Sequence, residues 1–208
     1  MQPKLPTIYP ITDTVLSGIS HTEQVRRLTA GGARFIQLRE KRLRPSEWLA
    51  DAIGAVDAVH KAGAAIIIND RVDMAIAIGA DGVHLGQDDL PPAEARRLLG
   101  AKAIIGYSTH TLEQAAAAAL EPVDYIAFGP IFGTTTKADT NPVVGLDLLH
   151  AVRQAIGDIP LVAIGGIKRS DLAAVFSAGA DSAAMISEVL ADADSITANY
   201  LELSNLGV

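Results

Sequence analysis

The residues able to do chemistry lie in short groups, each just after an apolar run. Thr134, Thr135, Thr136 and Lys137 follow the run Tyr125 to Phe128 and its Gly129-Pro130 stop. Three hydroxyls and one ammonium suit an oxygen-rich anion such as a phosphate. A solvated loop would have the same composition, so this group decides nothing alone. Gln37, Arg39 and Lys41 leave a run that begins at Phe35. Arg grips phosphate oxygens with paired bonds and Lys acts as a point charge. Salt bridging to Glu40 and Asp139 is the plainer use of the same cations. Asn69 and Asp70 follow Ala64 to Ile68, and Asp88 and Asp89 lie beyond Gly82 to Leu85. Carboxylates brought together by adjacent strands suit Mg²⁺, which is held by one or two acids, waters and substrate phosphates. Each Asp alone could equally cap a helix. Adjacency makes Asp88 hard to separate from Asp89, although Asp89 is the stronger ligand. Zinc is disfavoured, because there is no Cys and no close His pair.

Ser108 follows Ile104 to Tyr107, and Gly165-Gly166 and Ile186-Ser187 follow two later runs. Such paired features suggest a second anion cup beside a helix start. His84 reads as a hydrogen-bonded core residue, and His110 receives no role. No Ser–His or Cys–His pair for nucleophilic catalysis is evident.

These groups need a scaffold that gathers them. Strands are expected at Ile8–Thr12, Phe35–Leu38, Ala64–Ile68, Gly82–Leu85, Ile104–Tyr107, Tyr125–Phe128, Pro160–Ile164 and Ser182–Ile186. Helices are expected between them: Thr22–Gly31, a long one from Pro45, one ending near Ile78, one from Pro91, Leu112–Leu120, Leu146–Ile156, Asp171–Ser177 and one from about Asp192. Gly-Ala recurs at 32–33, 63–64, 79–80, 100–101 and 179–180, and a further pair at 54–55 lies inside a helix pattern as an exception. Each of the five follows a helix and precedes a strand, where Gly can adopt the left-handed conformation that stops a helix. Eight strands alternating with eight helices predict a (β/α)8 barrel, with a doubly wound open sheet as the alternative. The absence of G-x-G-x-x-G and of a P-loop weakens that alternative. In a barrel every group above leaves the C-terminal end of a strand, the rim where such folds place chemistry.

Composition narrows the classes. The 208 residues are 49% hydrophobic, enough for one domain of this size, and no linker divides residues 1–208. A net charge of −7 with only 4% aromatic residues argues against nucleic acid. No apolar run reaches about 18 residues, so no membrane helix is expected. No Cys and no secretory leader fit a cytoplasmic protein. Oligomeric state is left open, a homo-oligomer included.

Seven segments in order now point further: QLREK at 37–41, NDRVDMA at 69–75, GVHLGQDD at 82–89, IGYSTH at 105–110, DYIAFGPIF with T-T-T-K at 124–137, VAIGGI at 162–167, and GADSAAMIS at 179–187. Together they resemble the thiamine phosphate synthase family. The family's fold is a (β/α)8 barrel. Its reaction joins 4-amino-2-methyl-5-hydroxymethylpyrimidine diphosphate to a thiazole phosphate and releases diphosphate. The resemblance implies that Gln37, Leu38, Arg39, Glu40, Lys41, Asn69, Ser108 and Lys137 contact the pyrimidine diphosphate. It implies that Thr134, Thr135, Thr136, Gly166, Ile186 and Ser187 hold the thiazole phosphate. Asp70 and Asp89 would bind one Mg²⁺, and Lys137, Arg39 and Ser108 would be catalytic. Pro10 in strand one and Gly133 in the turn depart from the family pattern without touching an assigned position. The related thiazole tautomerase has little use for the Mg²⁺ acids or Lys137. A sugar-phosphate barrel would not need the acids and the strand-two cations together. A non-catalytic sensor of thiamine precursors remains the third reading.

Overall fold

The computed structural model describes residues 5–133 and 142–206. Thr134, Thr135, Thr136 and Lys137 lie outside them. The strands are β1 (Ile8–Pro10), β2 (Phe35–Leu38), β3 (Ala65–Asn69), β4 (Gly82–Leu85), β5 (Ile104–Thr109), β6 (Tyr125–Phe128), β7 (Leu161–Ile164) and β8 (Ser182–Met185). Between and around them run α1 (Thr14–Ser17), α2 (His21–Ala30), α3 (Pro45–Lys61), α4 (Val72–Ile78), α5 (Pro92–Leu99), α6 (Leu112–Ala118), α7 (Gly145–Ile156), α8 (Leu172–Ser177), α9 (Ser187–Leu190) and α10 (Ile196–Ser204).

All strand pairs are parallel, in the order β1-β8-β7-β6-β5-β4-β3-β2. The ends of that order meet. Ile11 bridges Gln37, and the Thr12 amide donates to the Gln37 carbonyl at 2.9 Å. The sheet is therefore a closed barrel, and the open doubly wound alternative is excluded. Alternation along each strand divides the apolar residues into two cores. Ile36, Leu38, Ile66, Ile68, Val83 and Leu85 pack outward against the helices. Tyr9, Phe35, Ile67, Tyr125, Val162 and Ala184 fill the inside.

The five Gly-Ala pairs fall where expected, and the glycine of each has positive φ. A second device repeats at the N-terminal rim. Asp81, Asp124 and Asp181 each stand just before a strand and accept the amide of the neighbouring one, from Ile66, Ile105 and Leu161 at 2.8, 2.8 and 2.7 Å. Each also meets a basic side chain from a helix: His60, Arg96 and Arg153 respectively. These three carboxylates are thus strand-register staples.

The element expectations shift mainly at ends. β5 runs on through Ser108 and Thr109, because both stay in register with Ala127 and Phe128 of β6. Pro91 is the cap before α5 rather than its first residue. The C-terminal helix starts at Ile196 after a short 3₁₀ turn at Ala193–Ser195. The four-residue helices α1 and α9 carry too few turns for an apolar period to be read. Among the described residues no helix is long and apolar enough to cross a membrane.

Candidate active site

A parallel barrel sends every strand's C-terminal end to one rim. Among the described residues, Lys41, Asp70 and Asp89 meet there in an upper layer and Gln37 and Ser108 in a lower one.

The upper layer is charged. Asp70 follows β3 and Asp89 lies in the turn after β4. Their carboxyl groups lie close enough for the charge of one to act on the other. Lys41, beyond β2, forms an ion pair with Asp70. Asp88 is exposed whereas Asp89 is half-buried and turned inward, which separates the two neighbours. Asp89 is held by the Gly86 amide at 2.7 Å. Burial pushes its carboxyl above the usual range, and the Asp70 charge adds to this. Asp70 is not a helix cap: Arg71 occupies that position in α4. Instead Asp70 has φ 62°, a left-handed conformation uncommon outside glycine, and its amide donates to the His84 carbonyl at 2.7 Å. Strain of this kind persists where the surroundings fix it. Asn69 beside it is buried, and its side-chain Nδ2 donor has no partner among the described residues.

Arg39 reaches Asp13 at 3.4 Å. Leu38 and Glu40 behave differently from their neighbours. Leu38 faces the helices and is fully buried, so only its backbone can touch a ligand. Glu40 turns back under its own loop and accepts the amides of Arg42 and Leu43 at 2.7 and 3.1 Å.

The lower layer is a chain of polar groups inside the barrel. Gln37 donates from Nε2 to the Tyr9 hydroxyl at 3.0 Å. Tyr9 and Tyr125 share a hydroxyl contact of 2.9 Å. His84 Nδ1 meets the Tyr125 hydroxyl at 3.0 Å, and His84 Nε2 meets Ser108 Oγ at 2.8 Å. Gly106 makes room for this hub: a Cβ there would lie 2.0 Å from Cζ of Tyr125. His84 is thus the hydrogen-bonded core residue expected, but a Ser–His pair does exist, contrary to the sequence reading. It is not a nucleophile dyad. The third member is the Tyr125 phenol where such a dyad needs a carboxylate, and burial holds that phenol well above its ordinary pKa. A neutral phenol gives an imidazolium no charge to lean on. The parts played by Tyr9 and Tyr125 were hidden in the sequence, because both sit in strands among apolar neighbours.

Opposite, the loop after β6 follows β7. Ile131 donates to the Ile164 carbonyl and Phe132 to the Gly165 carbonyl, both at 2.9 Å. Gly166 lies so close that a Cβ would stand 2.4 Å from the Gly133 carbonyl oxygen. Gly133 is the last described residue before Thr134. Ile186 and the exposed Ser187 begin α9 on the neighbouring β8 exit. His110, after β5, makes a 2.6 Å contact from Nδ1 to the Gly129 carbonyl at the base of the same loop.

Among the described residues no three or more His, Asp or Glu side chains gather as a metal cluster; the acids at the mouth are a pair. The arrangement is a barrel mouth with an acid pair beside Lys41. Comparison with known proteins gives the family. Residues 8–189 match the family model described as thiamine monophosphate synthase. The chain is 46% identical over 200 residues to a thiamine-phosphate synthase of Chloroflexus aurantiacus, covering 96% of this chain and 91% of that one. It is 46% identical over 188 residues to one of Methanoculleus marisnigri, covering 90% and 89%. A solved thiamine phosphate pyrophosphorylase from Pyrococcus furiosus superposes with TM-score 0.84 at 34% identity, covering 98% of each chain. The chain belongs to the thiamine monophosphate synthase family.

Proposed function

We propose that the chain, as one catalytic domain, is a thiamine-phosphate synthase. It joins 4-amino-2-methyl-5-hydroxymethylpyrimidine diphosphate to 4-methyl-5-(2-phosphoethyl)thiazole, or to its carboxylated form with loss of CO₂, and releases diphosphate. The observation that carries this reading is the juxtaposition of Asp70, Asp89 and Lys41 over an orphaned Asn69 donor. A sugar-phosphate site needs no such acid pair.

The donor set fits one Mg²⁺. Asp70 and Asp89 crowd two carboxylates, and Asp89 is already driven toward its neutral form, so a divalent cation relieves both. When bound, Mg²⁺ supplies positive charge against the diphosphate oxygens. Arg39, Lys41 and Lys137 supply the rest, and Asn69 Nδ2 donates to the same anion. Ser108 and Gln37, held by the polar chain beneath, orient the aminopyrimidine. The C–O bond to diphosphate breaks with its electrons leaving on oxygen. The ring stabilises the resulting methylene cation, and the thiazole nitrogen lone pair closes the C–N bond. No proton transfer to the protein is needed. Thr134, Thr135, Thr136, Gly166, Ile186 and Ser187 hold the thiazole phosphate, with Gly166 admitting close backbone approach.

The test is an assay of the purified protein with both precursors and Mg²⁺. Thiamine phosphate and diphosphate should form in equal amounts. No product, or turnover of the thiazole phosphate alone, would refute the proposal.

A further inference from the structure

Behind the 39–41 turn lies a buried histidine to which the mechanism gives no part. His21, at the start of α2, is 1% exposed and packed against Trp48. Its Nδ1 is 2.8 Å from Thr12 Oγ1, and its Nε2 is 3.6 Å from Glu40 Oε2. Thr12 is fully buried, and its Oγ1 accepts the Arg39 amide at 3.2 Å. These contacts select one tautomer. The Thr12 hydroxyl proton needs a buried acceptor, and Nδ1 is the one beside it. Nδ1 then carries the lone pair and Nε2 the proton, which faces the Glu40 carboxylate. The opposite tautomer would turn a lone pair toward that carboxylate and strand the Thr12 proton. Asp51 of α3 holds the start of α2 in place, accepting the amides of His21 and Thr22 at 2.8 and 3.0 Å.

We infer that His21 is a positioning residue for the diphosphate grip, acting through Thr12 on the Arg39 backbone and through Glu40 on the turn that aims Arg39 and Lys41. This rests on the activity proposed above. The side chain touches no substrate. It ties the Arg39 amide to a rigid helix through Thr12 and sets its Nε2 3.6 Å from Glu40, a charge contact longer than a hydrogen bond, so the cations project from a fixed backbone. Such a turn, left to itself, would let both long side chains wander. His21 is among the residues that border an open cavity of about 370 Å³, with Thr14, Ile19, Leu43 and Trp48.

The test uses His21→Ala, His21→Leu and Thr12→Val, each assayed for both substrates and titrated with inorganic diphosphate and Mg²⁺. The KM for the pyrimidine diphosphate should rise about tenfold or more, as when a supporting partner is removed, while the KM for the thiazole phosphate stays put. The diphosphate affinity should weaken in parallel. Free imidazole, entering through the cavity, should restore much of the loss in His21→Ala and none in Thr12→Val. Unchanged constants, or equal rises for both substrates without imidazole rescue, would overturn the inference. An inactive wild-type protein would instead refute the activity, and the diphosphate titration would still judge the turn. If His21→Leu does not fold, Thr12→Val, which removes one hydroxyl at nearly constant volume, decides the question by the same two constants.

Discussion

Asp89 illustrates how one carboxyl links acidity, metal and stability. Its raised pKa means that the folded protein without metal takes up a proton earlier than the unfolded chain as pH falls. Stability from this group is therefore present in acid and lost as pH rises through its folded pKa. Two results follow. Mg²⁺ affinity, measured by calorimetry, should fall on acidification before ordinary carboxylates titrate, because proton and metal compete for Asp89. Asp89→Asn should melt no lower than wild type without Mg²⁺ near neutral pH, gain nothing from added Mg²⁺, and lose turnover. A variant that melts lower and keeps a full Mg²⁺ response would contradict both. Asp70 adds a backbone test. At φ 62° glycine is at ease and alanine is not. Asp70→Gly should be about 1 kcal/mol more stable than Asp70→Ala in urea unfolding, with both inactive. Lys137→Ala should lower kcat roughly 10²–10³-fold, the loss seen when one oxyanion donor is removed, with little change in melting. At this scale the sequence revealed the charged residues, because charge directly after an apolar run stands out. It could not reveal the polar chain under them. Tyr9 and Tyr125 look like ordinary strand residues until eight strands close, and Leu38 and Glu40 share the motif while pointing elsewhere.

The elements divide their work between the two rims. At the catalytic end, strands stop and side chains are released. At the other, Asp81, Asp124 and Asp181 fix neighbouring strands against each other. Asp124→Ala orphans the Ile105 amide and breaks the contact with Arg96. It should destabilise by about 1–3 kcal/mol in denaturant titration and leave both KM values unchanged. A change in substrate affinity would mean that the two rims are not independent. Most elements were legible because the chain repeats one unit: buried strand, polar exit, helix, positive-φ glycine. The misreadings share a cause. The end of β5 is set by its pairing with β6, a long-range fact that no local pattern contains. The short helices α1 and α9 are set by Asp13 capping and by the Ile186 turn. Gly106 shows the same limit. Its role is to leave space for a ring 19 residues away, so Gly106→Ala should both destabilise and slow turnover by displacing Tyr125.

At the scale of the whole molecule, the closed barrel converts groups spread over much of the chain into one mouth. Lys41, Asn69, Asp70, Asp89 and Ser108 come from four different strand exits. Closure by Ile11 and Gln37 is what brings the first exit next to the second. The central claim is that this mouth recognises a diphosphate through a divalent ion and fixed cations. Calorimetric titration of the protein with the pyrimidine diphosphate, with Mg²⁺ and after chelation, tests it most directly. The account predicts saturable one-to-one binding with Mg²⁺ that chelation abolishes, and that Asp70→Asn also abolishes. Equal affinity with and without the metal would contradict it.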